Sequence, residues 1–439
     1  MLQRFQEHIN KNFPFIKGKK ILIAISGGLD SVVLTHLLNV LKISEVALAH
    51  CNFKLRGIAS DGDEIFVKKL SQKSSNQIFT AFFDTKTYAT DNKISIQIAA
   101  RELRYQWFQE IAKNHNFDYI ATAHHADDNL ETFLINLSRG SGLEGFTGIP
   151  SKNGNIIRPL LEFSRAEISN YATTNKLEWR EDSSNAETKY IRNKIRHKIV
   201  PVLKEINPNL LESFTKTQEH LKESQQIIED SISNIKKDIV EKDDSENTII
   251  FKIDINKIKE LSNPKAYLYQ LLKDYNFTEW NDLLQLLNAQ TGKQVFSEYF
   301  RLLKNRNYLL LVSRNNESSI NSFTEINENI KEITFPVHLS FTEINQVKTQ
   351  TKSSIYVDKD LLKYPLKVRK WENGDYIYPT GMQGKKKVSK YFKDEKFSQI
   401  DKENTWLLCN KENDVIWIIN HRQDKRFLGN QNLKIQFHS

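Results

Sequence analysis

The chain holds only two cysteines, Cys51 and Cys409, among 439 residues. That excludes a disulfide framework and a metal-binding cysteine cluster. No apolar run approaches membrane-spanning length, and the start, Met1-Leu2-Gln3-Arg4-Phe5, lacks the apolar core of a signal peptide. No internal repeat is visible. The plain expectation is a soluble, cytoplasmic protein. Acidic residues are in the minority: 54 Asp and Glu against 63 Lys and Arg give a net charge of +9, which favours a polyanionic partner. Hydrophobic residues make up a modest 39%, yet 25 Phe, 15 Tyr and 6 Trp supply core material. A chain of this length is expected to form two or three domains.

The most informative stretch is Ile21-Leu22-Ile23-Ala24-Ile25-Ser26-Gly27-Gly28-Leu29-Asp30-Ser31. An apolar run ends in Ser-Gly-Gly-x-Asp-Ser, and a helical pattern (Val32, Val33, Leu37, Leu38, Leu41) follows at once. The spacing predicts a buried strand, a tight glycine turn and a helix. Adjacent glycines let the backbone approach a bulky anion, and the helix start offers N–H groups and a positive dipole end. Ser26 and Ser31 add hydroxyl donors, while Asp30 can hold a divalent cation against phosphates. The string lacks the glycine spacing and the Lys of a Walker loop. It resembles the pyrophosphate-binding loop of the N-type ATP pyrophosphatase (PP-loop) superfamily. That resemblance implies cleavage of ATP between the α- and β-phosphates, with adenylation of a substrate oxygen.

Further strands are predicted at Glu45–His50, Ile78–Phe83 and Asp118–Ala123, with helices around 61–74, 95–115 and 127–138. This alternation implies an α/β fold with a doubly wound, mostly parallel sheet and a ligand site at the C-terminal strand ends. The texture changes near Pro201 and Pro208. A polar helical stretch, 209–240, precedes the charged break Glu241-Lys242-Asp243-Asp244. Helical segments around 264–288 and a hairpin of Gln294–Ser297 with Tyr308–Ser313 come next. Residues 314–330, rich in Asn, Ser and Glu, read as a linker. The remainder is β-rich, with strands near Ile355–Val357, Leu366–Lys370, Trp406–Cys409, Val415–Ile419 and Leu433–Phe437. The expected domains are 1–205 (catalytic), 206–315 (mainly helical, tRNA-contacting), 316–355 (linker and start of the C-terminal module) and 356–439 (basic and β-rich).

A second constellation is Ala123-His124-His125-Ala126-Asp127-Asp128-Asn129-Leu130-Glu131-Thr132. Helical spacing groups His124, Asp128 and Thr132 on one face, and Asp127 with Glu131 on another. A carboxylate here can carry Mg²⁺ to ATP phosphates, and a His can stabilise developing negative charge. The blander alternative is a capped helix start, where Asp and Asn are common. Gly140-Ser141-Gly142-Leu143-Glu144-Gly145 formally matches GxGxxG, but it follows a predicted helix rather than a strand. In Tyr190-Ile191-Arg192-Asn193-Lys194-Ile195-Arg196-His197, Arg192 and Arg196 stand four apart. On a helix both guanidiniums face one way, suited to clamping phosphate or stacking on an unpaired base.

Together these motifs resemble the tRNA(Ile)-lysidine synthetase family. The likeness rests on Ser26–Ser31, His50 with Leu55-Arg56, Ala100-Arg101-Glu102-Leu103-Arg104-Tyr105, His124–Thr132, Arg139–Gly148, Arg158-Pro159-Leu160 and Arg192–Arg196. A C-terminal signature adds Arg369 through Gly374-Asp375, Pro379-Thr380-Gly381-Met382 and Gly384-Lys385-Lys386-Lys387-Val388. Two positions depart from the pattern: Phe53 stands where a second His follows His50, and Ser183 where Pro precedes Ser-Asn. The resemblance implies an adenine nucleotide α-hydrolase-like fold with a helical middle domain and a small β-rich C-terminal domain. It also implies adenylation of the wobble cytidine of a CAU-anticodon isoleucine tRNA, then displacement of AMP by the ε-amine of free L-lysine. The product, lysidine, pairs with A rather than G. For the residues, it implies ATP binding by Ser26, Gly27, Gly28, Leu29, Asp30, Ser31, His50 and Arg56. Asp30, His125, Asp128, Arg192 and Arg196 are the expected catalytic residues. Mg²⁺ is expected on Asp30 with Asp127 and Asp128, which of the last two being open. Arg104, Arg139, Arg192, Asn193, Arg196, Lys385, Lys386 and Lys387 are expected to contact tRNA.

Charge placement agrees: residues 361–400 hold ten Lys or Arg against four acids. Interleaved with Trp371, Tyr376, Tyr378, Tyr391 and Phe392, they suit a tRNA backbone distant from the active site. The alternative for the aromatics is a small β core. The main functional rival, a PP-loop tRNA sulfurtransferase, would need cysteines of a kind absent from this chain. Superfamily ligases for small molecules would leave the basic module idle. Oligomeric state and the lysine pocket stay open.

Overall fold

A computed structural model of the chain describes residues 1–55, 57–181, 191–242, 249–314, 323–346 and 351–438. Arg56, Ser183 and Tyr190 lie outside the described residues. Two compact units divide the chain, Met1–Glu229 and Asp230–Ser439.

The first unit opens with α1 (Leu2–Asn12), then β1 (Lys20–Ala24), α2 (Leu29–Leu41), β2 (Glu45–Asn52), α3 (Ile58–Ser74) and β3 (Gln77–Phe82). There follow α4 (Thr85–Asp91), α5 (Ile96–Asn114), β4 (Tyr119–Ala121), α6 (Ala126–Ser138), α7 (Leu143–Phe146), β5 (Lys152–Asn153) and β6 (Ile156–Ile157). The unit continues through α8 (Arg165–Thr174), α9 (Ile191–Lys194), a π-helical turn (Ile195–Ile199), α10 (Val200–Ile206) and the start of α11 (Leu210–Ile239). Its sheet runs β3-β2-β1-β4-β6-β5. β1, β2, β3, β4 and β6 pair in parallel, and β5 is the antiparallel edge.

Burial on both faces explains the unbroken apolar run of β1. Ile21 and Ile23 pack with Phe5, Ile9, Leu34 and Leu38 on one side. Leu22 packs with Ala47, Ala49, Phe108 and Ile111 on the other. The chain winds from β1 outward to β3, then returns to place β4 on the other flank of β1. The crevice at that reversal lies beyond the C-terminal ends of β1 and β4, where α/β sheets bind ligands.

The second unit holds β7 (Val240–Lys242), β8 (Ile249–Asp254), α12 (Ile255–Glu260), α13 (Pro264–Leu272), α14 (Trp280–Leu286), β9 (Gln294–Phe296), β10 (Phe300–Asn305) and β11 (Tyr308–Ser313). These strands form an antiparallel sheet ordered β7-β8-β11-β10-β9, packed through Leu268, Leu272, Leu283, Leu302 and Leu311. The sheet lies within 206–315, expected to be mainly helical, where α11 to α14 still hold more residues than its five strands. The expected hairpin changes: β9 pairs with β10, which lies between it and β11. Arg301 and Lys304 disguised β10 as a polar connector. Both are buried, Arg301 against Glu403 and Lys304 donating to the Leu287 carbonyl at 3.0 Å.

Next come β12 (Thr324–Ile326), β13 (Glu332–Ile333), β14 (His338–Glu343), β15 (Ser354–Val357), β16 (Leu366–Lys370), β17 (Tyr376–Ile377) and β18 (Lys386–Lys387). The chain ends with α15 (Val388–Asp394), α16 (Gln399–Asn404), β19 (Trp406–Cys409), β20 (Val415–Ile418), β21 (Arg422–Gln423) and β22 (Leu433–His438). Sheets β12-β16-β19-β20-β21 and β13-β14-β22-β15 share a core of Val368, Leu408, Trp417, Leu339, Ile355 and Ile435. β12 falls inside the segment read as a linker and pairs with β16, burying Ile326. A three-residue strand is too short to show a period.

Candidate active site

The glycine turn between β1 and α2 is built from short local bonds. The Ser26 N–H donates to Ser31 Oγ at 3.2 Å, the Gly28 N–H donates to Ser26 Oγ at 3.2 Å, and Ser31 Oγ donates to the Gly28 carbonyl at 2.9 Å. Gly27 has φ +87°, a conformation that only glycine adopts without strain. No side chain caps the first N–H groups of α2, whose cap residue is Gly28. The turn thus offers main-chain N–H groups and hydroxyls at a helix N-terminus, an arrangement suited to an anion.

β4 ends beside it and launches α6. The Asp128 carboxylate accepts the His125 N–H at 3.2 Å, which starts the helix and fixes both residues. The His125 ring is buried, with Nε2 at 3.4 Å from Asp128 Oδ2 and 3.9 Å from Asp30 Oδ2. Asp30 also pairs with Arg165, while its Oδ1 is buried without a hydrogen-bond partner. α9 carries Arg192 and the π-helical turn after it carries Arg196, and both reach α6. Arg196 donates from Nε to Glu131 Oε1 at 2.6 Å, and from Nη2 to Glu131 Oε2 and Asp128 Oδ1, both at 2.9 Å. Arg192 donates to Thr132 Oγ1 at 2.7 Å. The two guanidiniums face the same way, as their spacing suggests. Such a π-turn is a frequent mark of functional sites.

Burial dominates the electrostatics. Glu131 is 1% exposed and its carboxyl is pushed up by burial, against which Arg196 pulls it down. Burial pushes the His124 imidazole down to about 4, opposed by the nearby Asp128 charge. Asp128 itself is held below the usual carboxylate range by His125, His124 and Arg196, in spite of burial.

Asp127 has both oxygens committed, Oδ1 to Lys204 Nζ at 2.6 Å and Oδ2 to the Arg165 N–H at 2.8 Å. A carboxylate so held joins α10 and α8 to α6; Asp128 likewise accepts from Arg196 and from the His125 N–H, so hydrogen bonding does not separate the two as cation ligands. Glu131 groups with Asp128 through Arg196, not with Asp127, because i,i+3 neighbours share a helix face as readily as i,i+4 neighbours do. Arg104, expected on tRNA, lines a cavity of about 490 Å³ together with Ser26, His50, Asn52 and Phe53. The glycine string 140–145 does follow a helix, α6, in keeping with its rejection as a dinucleotide motif.

In that cavity His50 Nδ1 donates to the Ile25 carbonyl at 2.9 Å, and burial holds its pKa below the usual imidazole value. Cys51 lines the cavity too, and burial pushes its thiol up to about 12. Cys409 is likewise pushed up to about 12. Neither is a ready thiolate. Arg139 ends α6 as an exposed residue, and Asn193 lies on α9. Lys204 and Arg165 are not among the residues the sequence marks, and Glu131 is marked only as a face-mate of Asp127. The i,i+3 spacing of Asp128 and Glu131 was the available signal, whereas Lys204 and Arg165 carried none.

A family profile described as a PP-loop domain matches residues 1–203, and one described as the TilS substrate binding domain matches 245–314. A protein of Parabacteroides distasonis named tRNA(Ile)-lysidine synthase is 37% identical over 99% of this chain and 98% of its own length. The chain belongs to the tRNA(Ile)-lysidine synthase family. One of the same name from Bacteroides thetaiotaomicron is 38% identical over 97% of this chain and 96% of its own. A Bacillus subtilis relative of the same name is 28% identical over 95% of this chain and 93% of its own. As a member of this family the protein is an ATP-using ligase that forms a carbon–nitrogen bond in tRNA modification. Among the described residues no helix is long and apolar enough to cross a membrane.

The basic run of the second unit divides on inspection. Lys385 and Lys387 are exposed, the former 4.9 Å from the Tyr376 ring centre. Lys386 instead pairs with Asp394 at 2.8 Å, its side chain 15% exposed. Its expected role as an open tRNA contact is corrected, because strand alternation in β18 turns it inward. Arg369 is also structural, gripping Asp375 at 2.7 and 2.9 Å. Tyr391 and Phe392 are core, whereas Tyr376 and Tyr378 are half-buried and flank Arg426.

Proposed function

We propose that the Ser26–Ser31 turn binds the phosphates of ATP, and that the crevice between Asp30, His125, Asp128 and Arg196 is where the wobble cytidine of a CAU-anticodon isoleucine tRNA becomes adenylated. The observation that carries this reading is the convergence of Asp30 and Asp128 on His125, with Arg196 closing the group. In the first step the cytidine 2-carbonyl oxygen attacks the α-phosphorus and pyrophosphate leaves. In the second, the ε-amine of free lysine attacks the activated C2, AMP departs with the former carbonyl oxygen, and the amine gives up its proton. The wobble base is unpaired, so reaching the pocket breaks no duplex.

The turn's N–H groups and hydroxyls hold the pyrophosphate portion, and Arg192 and Arg196 supply positive charge for the α-phosphate or the anticodon loop. His125 lies within reach to steady developing charge. Asp30, with an unpartnered buried oxygen, is suited to Mg²⁺ together with Asp127 or Asp128. Among the described residues no group of three or more His, Cys, Asp or Glu forms a cage. That donor set fits a magnesium ion held jointly by one or two carboxylates and substrate phosphates. Magnesium would supply charge neutralisation at the phosphates. Lys385 and Lys387 are proposed as tRNA backbone contacts, and the cytoplasm as the place of action.

The test is direct. Incubating the protein with ATP, labelled lysine and an unmodified CAU-anticodon isoleucine tRNA transcript should yield labelled RNA and one AMP for each lysine transferred. ADP accumulating in place of AMP, or no label in RNA, would overturn the reading.

A further inference from the structure

Arg180, far from the glycine turn in sequence, touches it directly. The Arg180 N–H donates to the Gly27 carbonyl at 2.9 Å. In a trans peptide the carbonyl and the following N–H point in opposite directions. Holding the Gly27 carbonyl outward therefore turns the Gly28 N–H into the loop, where Ser26 Oγ now accepts it at 3.2 Å. A flipped peptide would present a carbonyl oxygen to the phosphates and repel them.

The Arg180 side chain anchors that main-chain contact. Its Nε donates to Asp63 Oδ1 on α3 at 2.5 Å, and Asp63 is buried. The guanidinium lies flat on Gly62, where a Cβ would come within 3.1 Å of Nη2. Glycine inside a helix is otherwise unfavourable, and here its missing side chain makes room for the arginine. One helical turn on, Phe66 and Val67 of the same helix approach Gly27 so closely that a Cβ there would meet both at 3.3 Å. The glycine turn is thus held between α3 on one side and the Arg180 main chain on the other.

We propose that Arg180 is a positioning residue for the nucleotide loop, clasping the Gly27–Gly28 peptide in its phosphate-binding orientation through the Asp63 ion pair. This rests on the reading of Ser26–Ser31 as the ATP site. The clasp acts on binding and alignment of ATP, with no contact to the reacting atoms.

The experiment measures ATP affinity by calorimetry, steady-state kinetics with ATP varied at saturating tRNA and lysine, and melting temperature. Arg180→Ala keeps the N–H but loses the anchor, and should raise the ATP KM and Kd about tenfold while kcat stays within about twofold. Arg180→Lys should fall between the two. The exchanged pair Arg180→Asp with Asp63→Arg should recover most of the lost affinity, which a general loss of packing would not do. Asp30→Ala and Ser26→Ala control for the underlying reading: if neither changes ATP binding, the loop assignment itself is wrong and the clasp falls with it. If they weaken ATP while Arg180→Ala leaves KM and Kd at wild-type values, the clasp alone is refuted. A loss that follows melting temperature and is not rescued by the exchanged pair refutes it equally.

Discussion

Replacing Arg196 by Ala removes the cation that neutralises two buried carboxylates at once. Glu131 has a side chain only 2% exposed, and Asp128 one 15% exposed. Breaking a buried ion pair by deleting one partner costs about 3–5 kcal/mol. The Arg196 side chain is 31% exposed, so water can enter the vacated space. The lower end, about 3 kcal/mol, is therefore expected. For a unit of this size that corresponds to a melting temperature lower by about 6–12 °C.

The pH dependence separates this account from a simple loss of packing. Burial already raises the Glu131 pKa, and Arg196 is the main influence pulling it down. In the variant it rises further, so the folded state holds a proton that the unfolded state, at the ordinary carboxylate value, has released. Stability of the variant then falls as pH rises through that window and recovers on going toward pH 5. Thermal melts across pH 5–8 for wild type, Arg196→Ala and Arg196→Ala with Glu131→Gln test it. The double variant should regain the part of the stability lost at Glu131, because only Asp128 is then left without the guanidinium, yet form no lysidine, because the guanidinium proposed for the reaction is still missing. Melting within about 2 °C of wild type at every pH would refute the electrostatic argument. Turnover restored in the double variant would refute the catalytic one.

Asp30→Asn, at a side chain 25% exposed, should cost little stability but depress pyrophosphate release by about 100-fold or more, measured with a coupled phosphate assay. Replacing Lys385 and Lys387 by Ala should flatten the log–log salt dependence of tRNA binding, each phosphate contact on a duplex contributing a slope of roughly −0.9. Lys386→Ala should leave that slope alone and lower the melting temperature instead, by releasing Asp394. Lys370 has its pKa lowered to about 8 by burial, with Nζ 3.9 Å from the Trp406 ring centre. Its unfolded form takes up a proton first as pH falls, so its contribution to stability grows as pH rises from about 8 toward the ordinary lysine value. Denaturant unfolding between pH 8 and 10 should show that rise in wild type and lose it in Lys370→Met.

Local chemistry made the core of the site legible in sequence. A strand buried on both faces must be apolar throughout, a loop that approaches phosphate needs glycine and hydroxyls, and a helix start beside it needs acids and amides. Hence β1, the Ser26–Ser31 turn and the start of α6 could be read from the residues themselves, whereas the paired arginines took their meaning from the family resemblance. What the sequence could not carry were decisions made between segments far apart in the chain. Asp127 and Asp128 are neighbours of one residue type, and only the arrival of Lys204 and the Arg165 N–H commits the first to holding helices together. Lys385, Lys386 and Lys387 look alike until β18 pairs with β17 and turns the middle one toward Asp394. Arg301 and Lys304 made β10 look like a connector because burial of a charge depends on a partner, here Glu403 and the Leu287 carbonyl, that no local pattern announces. The Arg180 clasp is of the same kind: a main-chain hydrogen bond across more than 150 residues leaves no mark on the residues that make it.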